Sequence, residues 1–272
     1  MCILFIYTNP SPPKNGYRLI VASNRDEDYN RPARHAFHCT GNNIIGGRDM
    51  EEGGMWFGVS LNESNKYKLR LGCLLNVTGE SHVDDAEGRG AIILNYLKQE
   101  IGTDDYAKAI EERVYRAYNF ISVEISNDHA ITHHRSNRPT SCSKYEGLQI
   151  LGFGNSTTTT PLQKVLNGKS QFEEIIKSYG TASKEELVER LTGFLKNEKR
   201  FLPDVELQRR SPMYEHLSSI FVKIPEYKYG TRAHSIVLVS YDWSLHFVEI
   251  ALEQPIDVNN FIWRTSQFTI DL

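Results

Sequence analysis

Met1-Cys2-Ile3-Leu4-Phe5-Ile6-Tyr7-Thr8 and Tyr17-Arg18-Leu19-Ile20-Val21-Ala22-Ser23-Asn24-Arg25-Asp26-Glu27-Asp28 are separated by Asn9-Pro-Ser-Pro-Pro-Lys-Asn-Gly16. Both outer stretches are rich in Ile, Val, Leu and Tyr, which fit a pleated surface. The insert concentrates Pro, Asn and Gly, which end strands and set turns. The pattern predicts an antiparallel hairpin, Cys2 to Thr8 against Tyr17 to Ser23, in the interior of a sheet with Cys2 near Asp26. After the apolar run the second strand turns abruptly polar at Ser23 to Asp28. A strand end is where a scaffold presents site residues, although the same run also reads as an ordinary charged turn with Arg25 and Asp26 solvated.

Further strands are predicted at Asn43 to Ile45, Met55 to Ser60 and Leu69 to Leu75, punctuated by Gly46-Gly47 and Gly53-Gly54. Helical periodicity covers Arg89 to Glu100 and Asp104 to Arg116. Strand patterning returns at Tyr118 to Ile125, Ala130 to His134 and Leu148 to Phe153. Pro161 is placed at the first position of a helix carrying the stripe Leu162, Val165, Leu166, Phe172, Ile175 and Ile176, since its missing N–H has no partner there in any case. Ser183 and Glu186 form a capping box for the next helix. Strands resume at Ser219 to Ile224, Ala233 to Ser240, Leu245 to Ala251 and Phe261 to Ile270. No long linker parts two cores, so one domain over residues 1–272, with helices covering sheets, is the expected organisation.

Composition narrows the function classes. In 272 residues, 40% are hydrophobic and 24% charged, as in a chain that folds in water. Lys plus Arg (31) nearly cancels Asp plus Glu (34), so no global field favours nucleic acid or anionic lipid. Four scattered cysteines suit a reducing compartment rather than a disulfide scaffold. No window has the length of an integral membrane segment. The sequons at Asn62, Asn76 and Asn155 would matter only in the secretory pathway, and no signal peptide directs the chain there.

Cys2 follows the initiator Met. Removal of Met1 would leave one residue with a thiol nucleophile and an α-amine whose ordinary pKa, about 7.7 to 8.0, lets it take the thiol proton. Cys2 reads equally as a small apolar residue opening a strand. His129, His133 and His134 lie close in sequence, as do His35, His38 and Cys39, but without metal-ligand spacing, so no metal site is expected. No glycine-rich phosphate loop occurs. The basic runs Lys196 to Arg200 and Gln208 to Arg210 read as solvated surface near a helix end.

Four blocks carry a resemblance: Met1-Cys2, Asn24-Arg25-Asp26-Glu27, Glu51-Glu52-Gly-Gly-Met-Trp56-Phe-Gly58-Val-Ser60 and Tyr229-Gly-Thr-Arg232-Ala-His-Ser-Ile-Val-Leu. Together they resemble the Transport and Golgi organization protein 2 family, also called the NRDE family, over the whole chain. The resemblance implies a four-layer α/β/β/α sandwich similar to N-terminal nucleophile hydrolases and cytoplasmic or mitochondrial residence. It also implies a role in haem trafficking and in acyl-CoA or lipid homeostasis. Haem is then the cargo, with unidentified donor and acceptor proteins and no catalytic cofactor, and the Asn24-Arg25-Asp26-Glu27 block is the ligand-binding candidate.

The chain is more distantly similar to conjugated bile acid hydrolases and penicillin V acylases, which also begin Met-Cys. That similarity implies that Asp26 holds the terminal amine, Asn76 donates to an oxyanion, Asn155 orients substrate, and Arg232 lowers the Cys2 thiol pKa. Locally, Asn76 and Asn155 also read as turn residues beside glycines. Those hydrolases carry an arginine three residues before the aspartate, where this chain has Ser23. The nearest cation, Arg25, is expected on the opposite strand face. Two functions follow: an amphipathic-ligand carrier that has lost efficient hydrolysis, with haem the first choice, or an active cysteine amidase or thioesterase.

Overall fold

The computed structural model describes residues 1–61, 67–80 and 84–272; the Asn62 sequon lies outside them. The opening run forms β1 (Ile3–Thr8) and β2 (Tyr17–Asp28), antiparallel, with Ile3 opposite Asn24 and Thr8 opposite Leu19. Its turn is built as the composition requires: Asn9 Oδ1 accepts from Ser11 N at 3.0 Å and Pro13 O accepts from Gly16 N at 2.8 Å. β2 runs past the predicted end at Ser23 because the strand Tyr229–Ser240 pairs with it as far as Asp28.

The chain then forms β3 (Ala33–Cys39), β4 (Ile44–Asp49), β5 (Phe57–Leu61), β6 (Leu69–Asn76), α1 (Ala91–Lys98), α2 (Thr103–Glu111), β7 (Tyr118–Ile125), β8 (Ala130–Asn137) and β9 (Thr140–Glu146). These seven strands make one antiparallel sheet in sequence order. Next come β10 (Gln149–Phe153), α3 (Gln163–Tyr179), α4 (Lys184–Leu195), α5 (Val205–Arg210), α6 (Tyr214–Leu217), β11 (Lys223–Ile224), β12 (Tyr229–Ser240), β13 (Ser244–Leu252) and β14 (Trp263–Asp271). They join the opening hairpin in a second antiparallel sheet, β10-β1-β2-β12-β13-β14, with β11 paired to β12. The chain is therefore mixed α/β with two antiparallel sheets. It divides into two compact units: Met1–Asn30 with Leu148–Leu272, and Arg31–Gly147.

In the first unit α3 packs on β10 and β1, and α4 packs on β2 and β12. Phe5 of β1 meets Phe172 of α3 and Phe194 of α4 at ring-centroid distances of 5.8 and 5.0 Å, an aromatic cluster that removes three large side chains from water. In the second unit α1 packs on β5 and β6, and Tyr106 of α2 donates to Ile92 O at 2.6 Å, tying the two helices together.

Several boundaries differ from the sequence expectation for physical reasons. Residues 219–222 are not strand; only Lys223 and Ile224 pair. β3 and β9 carry polar sequences with partly exposed patterns, because both are sheet edges with one free side. α2 stops at Glu111, one residue beyond Ile110, the last buried apolar residue of its stripe. Pro161 sits two residues before α3, and the first helical N–H, of Gln163, is capped by Asp204 Oδ2 at 2.7 Å. Asp204 Oδ1 also caps α5 through Leu207 N at 2.9 Å. Ser183 caps α4 as predicted, accepting from Glu186 N at 3.3 Å. Arg210 is buried against Glu206, Nε to Oε1 2.6 Å, and is not part of a solvated run.

Candidate functional site at the N-terminal strand ends

Strands β10, β1, β2 and β12 are adjacent, so their ends bring together segments from four parts of the chain. Leu4 lies opposite Phe153 and Ile3 opposite Asn24; continuing these registers sets Cys2 between Asn155 on one side and Arg25 on the other. On β12, Thr231 pairs with Asp26 but Ala233 pairs with Arg25, which leaves Arg232 as the extra residue of a β-bulge. A bulge re-aims its side chain, and Arg232 donates from Nη1 to Asp28 O at 2.7 Å.

Asp26 is the centre of this cluster. Its Oδ1 accepts from Thr231 Oγ1 at 2.6 Å, while Thr231 Oγ1 itself accepts from Val222 N at 2.9 Å. Asp26 Oδ2 is buried, accepts no hydrogen bond among the described residues, and lies 3.6 Å from the Met1 amine nitrogen. That amine also donates to the Tyr229 hydroxyl, which donates in turn to Asp26 O at 3.4 Å. The Cys2 Sγ donates to the same carbonyl at 3.7 Å. Burial pushes the Cys2 thiol pKa up, and the neighbouring Asp26 and Glu27 carboxylates add to that rise against the pull of the Met1 amine. Burial likewise raises Tyr229, so its phenol stays protonated as a donor.

Lys164, in the first turn of α3, is fully buried, and its Nζ donates to Ser219 O at 3.2 Å. Burial lowers its pKa against the attraction of Asp26 and Cys2. The sequence reading passed over Lys164, Tyr229 and Thr231. For Lys164 a signal existed: with Gly168 and Phe172 it falls at four-residue spacing on the buried face of the helix. Tyr229 and Thr231 lay inside the quoted Tyr-Gly-Thr-Arg block. The glycine between them has a steric cause, since a Cβ at Gly230 would lie 2.4 Å from Val222 O.

The remaining predicted residues divide by what holds them. Asn24 is buried and donates both amide protons to backbone carbonyls, Leu195 O at 2.8 Å and Ile220 O at 2.9 Å. Its Oδ1 therefore accepts, which puts the proton of His234 on Nδ1, 2.6 Å away. Asn24 thus pins the end of α4 and the segment between α6 and β11 to the sheet. Arg25 and Asp26 are buried, not solvated; Glu27 is partly exposed. Arg25 shares the strand face of Ser23, two residues earlier, rather than the opposite one, because β2 pairs regularly with β12 from Ser23 to Arg25. Ser23 itself donates to Ile3 O at 2.9 Å. Asn155 is buried just beyond β10, and Asn76, exposed, ends β6 in the Arg31–Gly147 unit opposite Tyr118.

A family model described as Transport and Golgi organisation 2 matches residues 1–254. The chain belongs to that family. It is 38% identical to Transport and Golgi organization protein 2 of Drosophila melanogaster, over 92% of this chain and 91% of that protein. It is 31% identical to the Homo sapiens Transport and Golgi organization protein 2 homolog, over 99% of each. The blocks that carried the resemblance have distinct physical uses here. Met1-Cys2, Asn24 to Glu27 and Tyr229 to Arg232 build the strand-end cluster. Glu51 to Gly54 is a turn in the other unit, where Asp49 Oδ1 accepts from Glu51 N and Glu52 N at 3.1 and 3.0 Å. Gly54 is needed there because an added Cβ would lie 1.9 Å from Gly90 O.

Proposed function

We propose that this family member is an intracellular carrier of haem, or of a similar amphipathic anion such as acyl-CoA, on a hydrolase-like scaffold that does not turn over its thiol site. The observation that carries the reading is Ser23, which stands where the similar hydrolases have an arginine and donates its hydroxyl to Ile3 O at 2.9 Å. It offers no cation to draw the thiol toward thiolate, and burial pushes the Cys2 thiol pKa up. A carrier needs affinity alone, for which Asn24, Arg25, Asp26 and Glu27 are the proposed ligand block and Arg25 the cation for propionate or phosphate. The relatives' name, Transport and Golgi organization, accords with handling cargo. Each unit sets helices on one sheet, the layering from which a four-layer α/β/β/α sandwich is assembled. Residence in cytoplasm or mitochondria, with separate haem donor and acceptor proteins, completes the proposal.

The second reading has its own observation: buried Asp26 Oδ2 accepts no hydrogen bond among the described residues. Loss of Met1 would free that oxygen for the Cys2 amine. Cys2 would then act as nucleophile with its amine as base. Asn155 would be an amide donor and Arg232 the nearby cation, giving a cysteine amidase or thioesterase.

Intact-mass measurement of the cellular protein, with haem and long-chain acyl-CoA titrations and parallel amide and thioester assays, separates the two. The carrier reading expects saturable binding without cleavage, weakened about ten- to a hundredfold by Arg25→Ala and unaffected by Cys2→Ala. Rapid cleavage abolished by Cys2→Ala, in protein lacking Met1, overturns it in favour of the hydrolase. If neither ligand binds and nothing is cleaved, both readings fail.

A further inference from the structure

The Arg31–Gly147 unit contains a groove of about 380 Å³ where the end of α2 and the loop after it face the β8–β9 turn. That volume is at the small end of ordinary ligand sites. Its walls include Ile110, Val114, Tyr115 and Tyr118. Tyr115 and Tyr118 are 4% and 2% exposed as residues, and among the described residues neither hydroxyl has a hydrogen-bond partner. Neither hydroxyl oxygen is sealed from solvent, so the two phenols present donors to the groove with their rings held in the wall. Burial raises the pKa of both, which keeps them protonated and able to donate at neutral pH.

The charges around the groove set the sign of the acceptor. Arg113 is neutralised by Glu87, with Nε 2.9 Å from Oε1. Glu111 is paired with Arg135 at 3.3 Å. Arg138 lines the groove and its guanidinium makes no ion pair or hydrogen bond among the described residues, so one positive charge is left over. An occupant that complements this surface has one negative charge, oxygen acceptors for two phenols, and an apolar body for Ile110 and Val114.

We propose that this groove binds a small amphipathic monocarboxylate, its carboxylate held by Arg138, Tyr115 and Tyr118 and its apolar part against Ile110 and Val114. The site lies wholly within one unit and shares no residue with the Cys2–Asp26 cluster.

The test is calorimetric titration of the full chain with octanoate, with 1-octanol as the uncharged control. The wild type should bind one octanoate saturably with a Kd below about 1 mM. Octanol should bind at least about tenfold more weakly, because a charge-assisted bond is worth that factor or more. Arg138→Gln, at a half-exposed position, should weaken octanoate about tenfold or more, and Tyr118→Phe, which keeps the ring, should weaken it about three- to tenfold. A melting curve identical to wild type for Tyr118→Phe confirms that the loss is of a contact, not of the fold. Absence of saturation, equal affinity for octanol, or wild-type affinity in both variants would each overturn the proposal.

Discussion

Each unit buries a carboxylate with a cation near it, and the two clusters are bonded differently. In the Arg31–Gly147 unit, Arg70 and Glu124 face each other across β6 and β7, 3.1 Å apart and each about 2% exposed at the side chain. Arg70 also donates to Gln99 O and Ile101 O at 2.5 and 2.9 Å, and its guanidinium lies 4.1 Å from the Tyr96 ring centroid. Glu124 Oε1 accepts from Thr103 Oγ1 and the Tyr96 hydroxyl at 2.8 and 3.3 Å. In the other unit, among the described residues, buried Asp26 Oδ2 accepts no hydrogen bond and Lys164 donates to a single carbonyl. The Arg70–Glu124 network leaves Arg70 Nε without a partner among the described residues, but its several other bonds close the end of α1 and the start of α2, and it is structural. The more sparsely bonded cluster, at converging strand ends, has capacity left for chemistry or a ligand.

The largest expected effect tests that division directly. Glu124→Gln should destabilise the protein by about 3 to 5 kcal/mol, because Arg70 would remain buried without its counter-charge. Asp26→Asn, which keeps a group able to accept from Thr231, should cost about 1 to 2 kcal/mol and instead abolish the binding or turnover assigned to the first unit. Urea unfolding of both variants, with haem titration alongside, checks the contrast. A greater stability loss for Asp26→Asn than for Glu124→Gln would invert the roles of the two clusters.

The same contrast explains what was legible in the sequence. The hairpin was readable because Ile3 to Thr8 and Tyr17 to Ala22 are continuous apolar runs around a Pro-rich turn, and its register carried Cys2 to Asp26 without further information. β3 and β9 were not readable: Ala33 to Cys39 and Thr140 to Glu146 are edge strands whose polarity matches that of loops. Within the cluster, Cys2, Asp26 and Arg232 stand out by residue type and position. Lys164 does not, because a lysine in a helix is ordinarily solvent-exposed, and only the buried spacing to Gly168 and Phe172 betrays it. Arg25 shows the opposite failure, a charged residue in a polar run that is buried where β12 pairs with β2 beyond the end of β1.

A second expected effect, of intermediate size, comes from a feature the units share. Each holds a buried histidine against an asparagine: His234 Nδ1 lies 2.6 Å from Asn24 Oδ1, and His134 Nε2 lies 3.0 Å from Asn119 Oδ1. Burial lowers His234 to about 3, with Lys196 adding to the shift, and lowers His134 to about 4. His234 is also stacked on Trp263, with ring centroids 5.0 Å apart. Folded-state values below the unfolded value of about 6.5 mean that the unfolded chain binds more protons as pH falls. Stability is therefore greatest above about pH 6.5 and falls by about 1.4 kcal/mol per pH unit for each histidine, down to its folded value. Denaturant unfolding at pH 7, 6 and 5 should show this slope. His134→Gln and His234→Gln should each remove one histidine's share. Equal effects on one transition would mean the units unfold together, and separate transitions, each moved by its own variant, would mean they do not. A slope unchanged in both variants would refute the assignment.

The smallest expected effect is the most discriminating for the strand-end cluster. Lys164 has no exposed surface, its ammonium form is disfavoured by burial, and among the described residues its hydrogen bond to Ser219 O satisfies only one of three protons. Replacing it with Met fills nearly the same volume, removes the desolvation penalty of the ammonium, and sacrifices its attraction to Asp26. These effects oppose each other, so Lys164→Met should change stability by no more than about 1 kcal/mol. Arg70→Met removes four engaged contacts from the more extensively bonded network and should cost about 3 to 5 kcal/mol. If Lys164 supports the site, loss of its positive charge leaves Asp26 and the Met1 amine with a more negative environment, and the reactivity of Cys2 should move with it. Titration of the thiol with iodoacetamide between pH 6 and 10 reads this directly. Lys164→Met should shift the Cys2 profile to higher pH, because a nearby cation that favours the thiolate is gone. An unchanged thiol profile together with a stability loss as large as that of Arg70→Met would make Lys164 a structural residue and erase the difference between the two buried clusters.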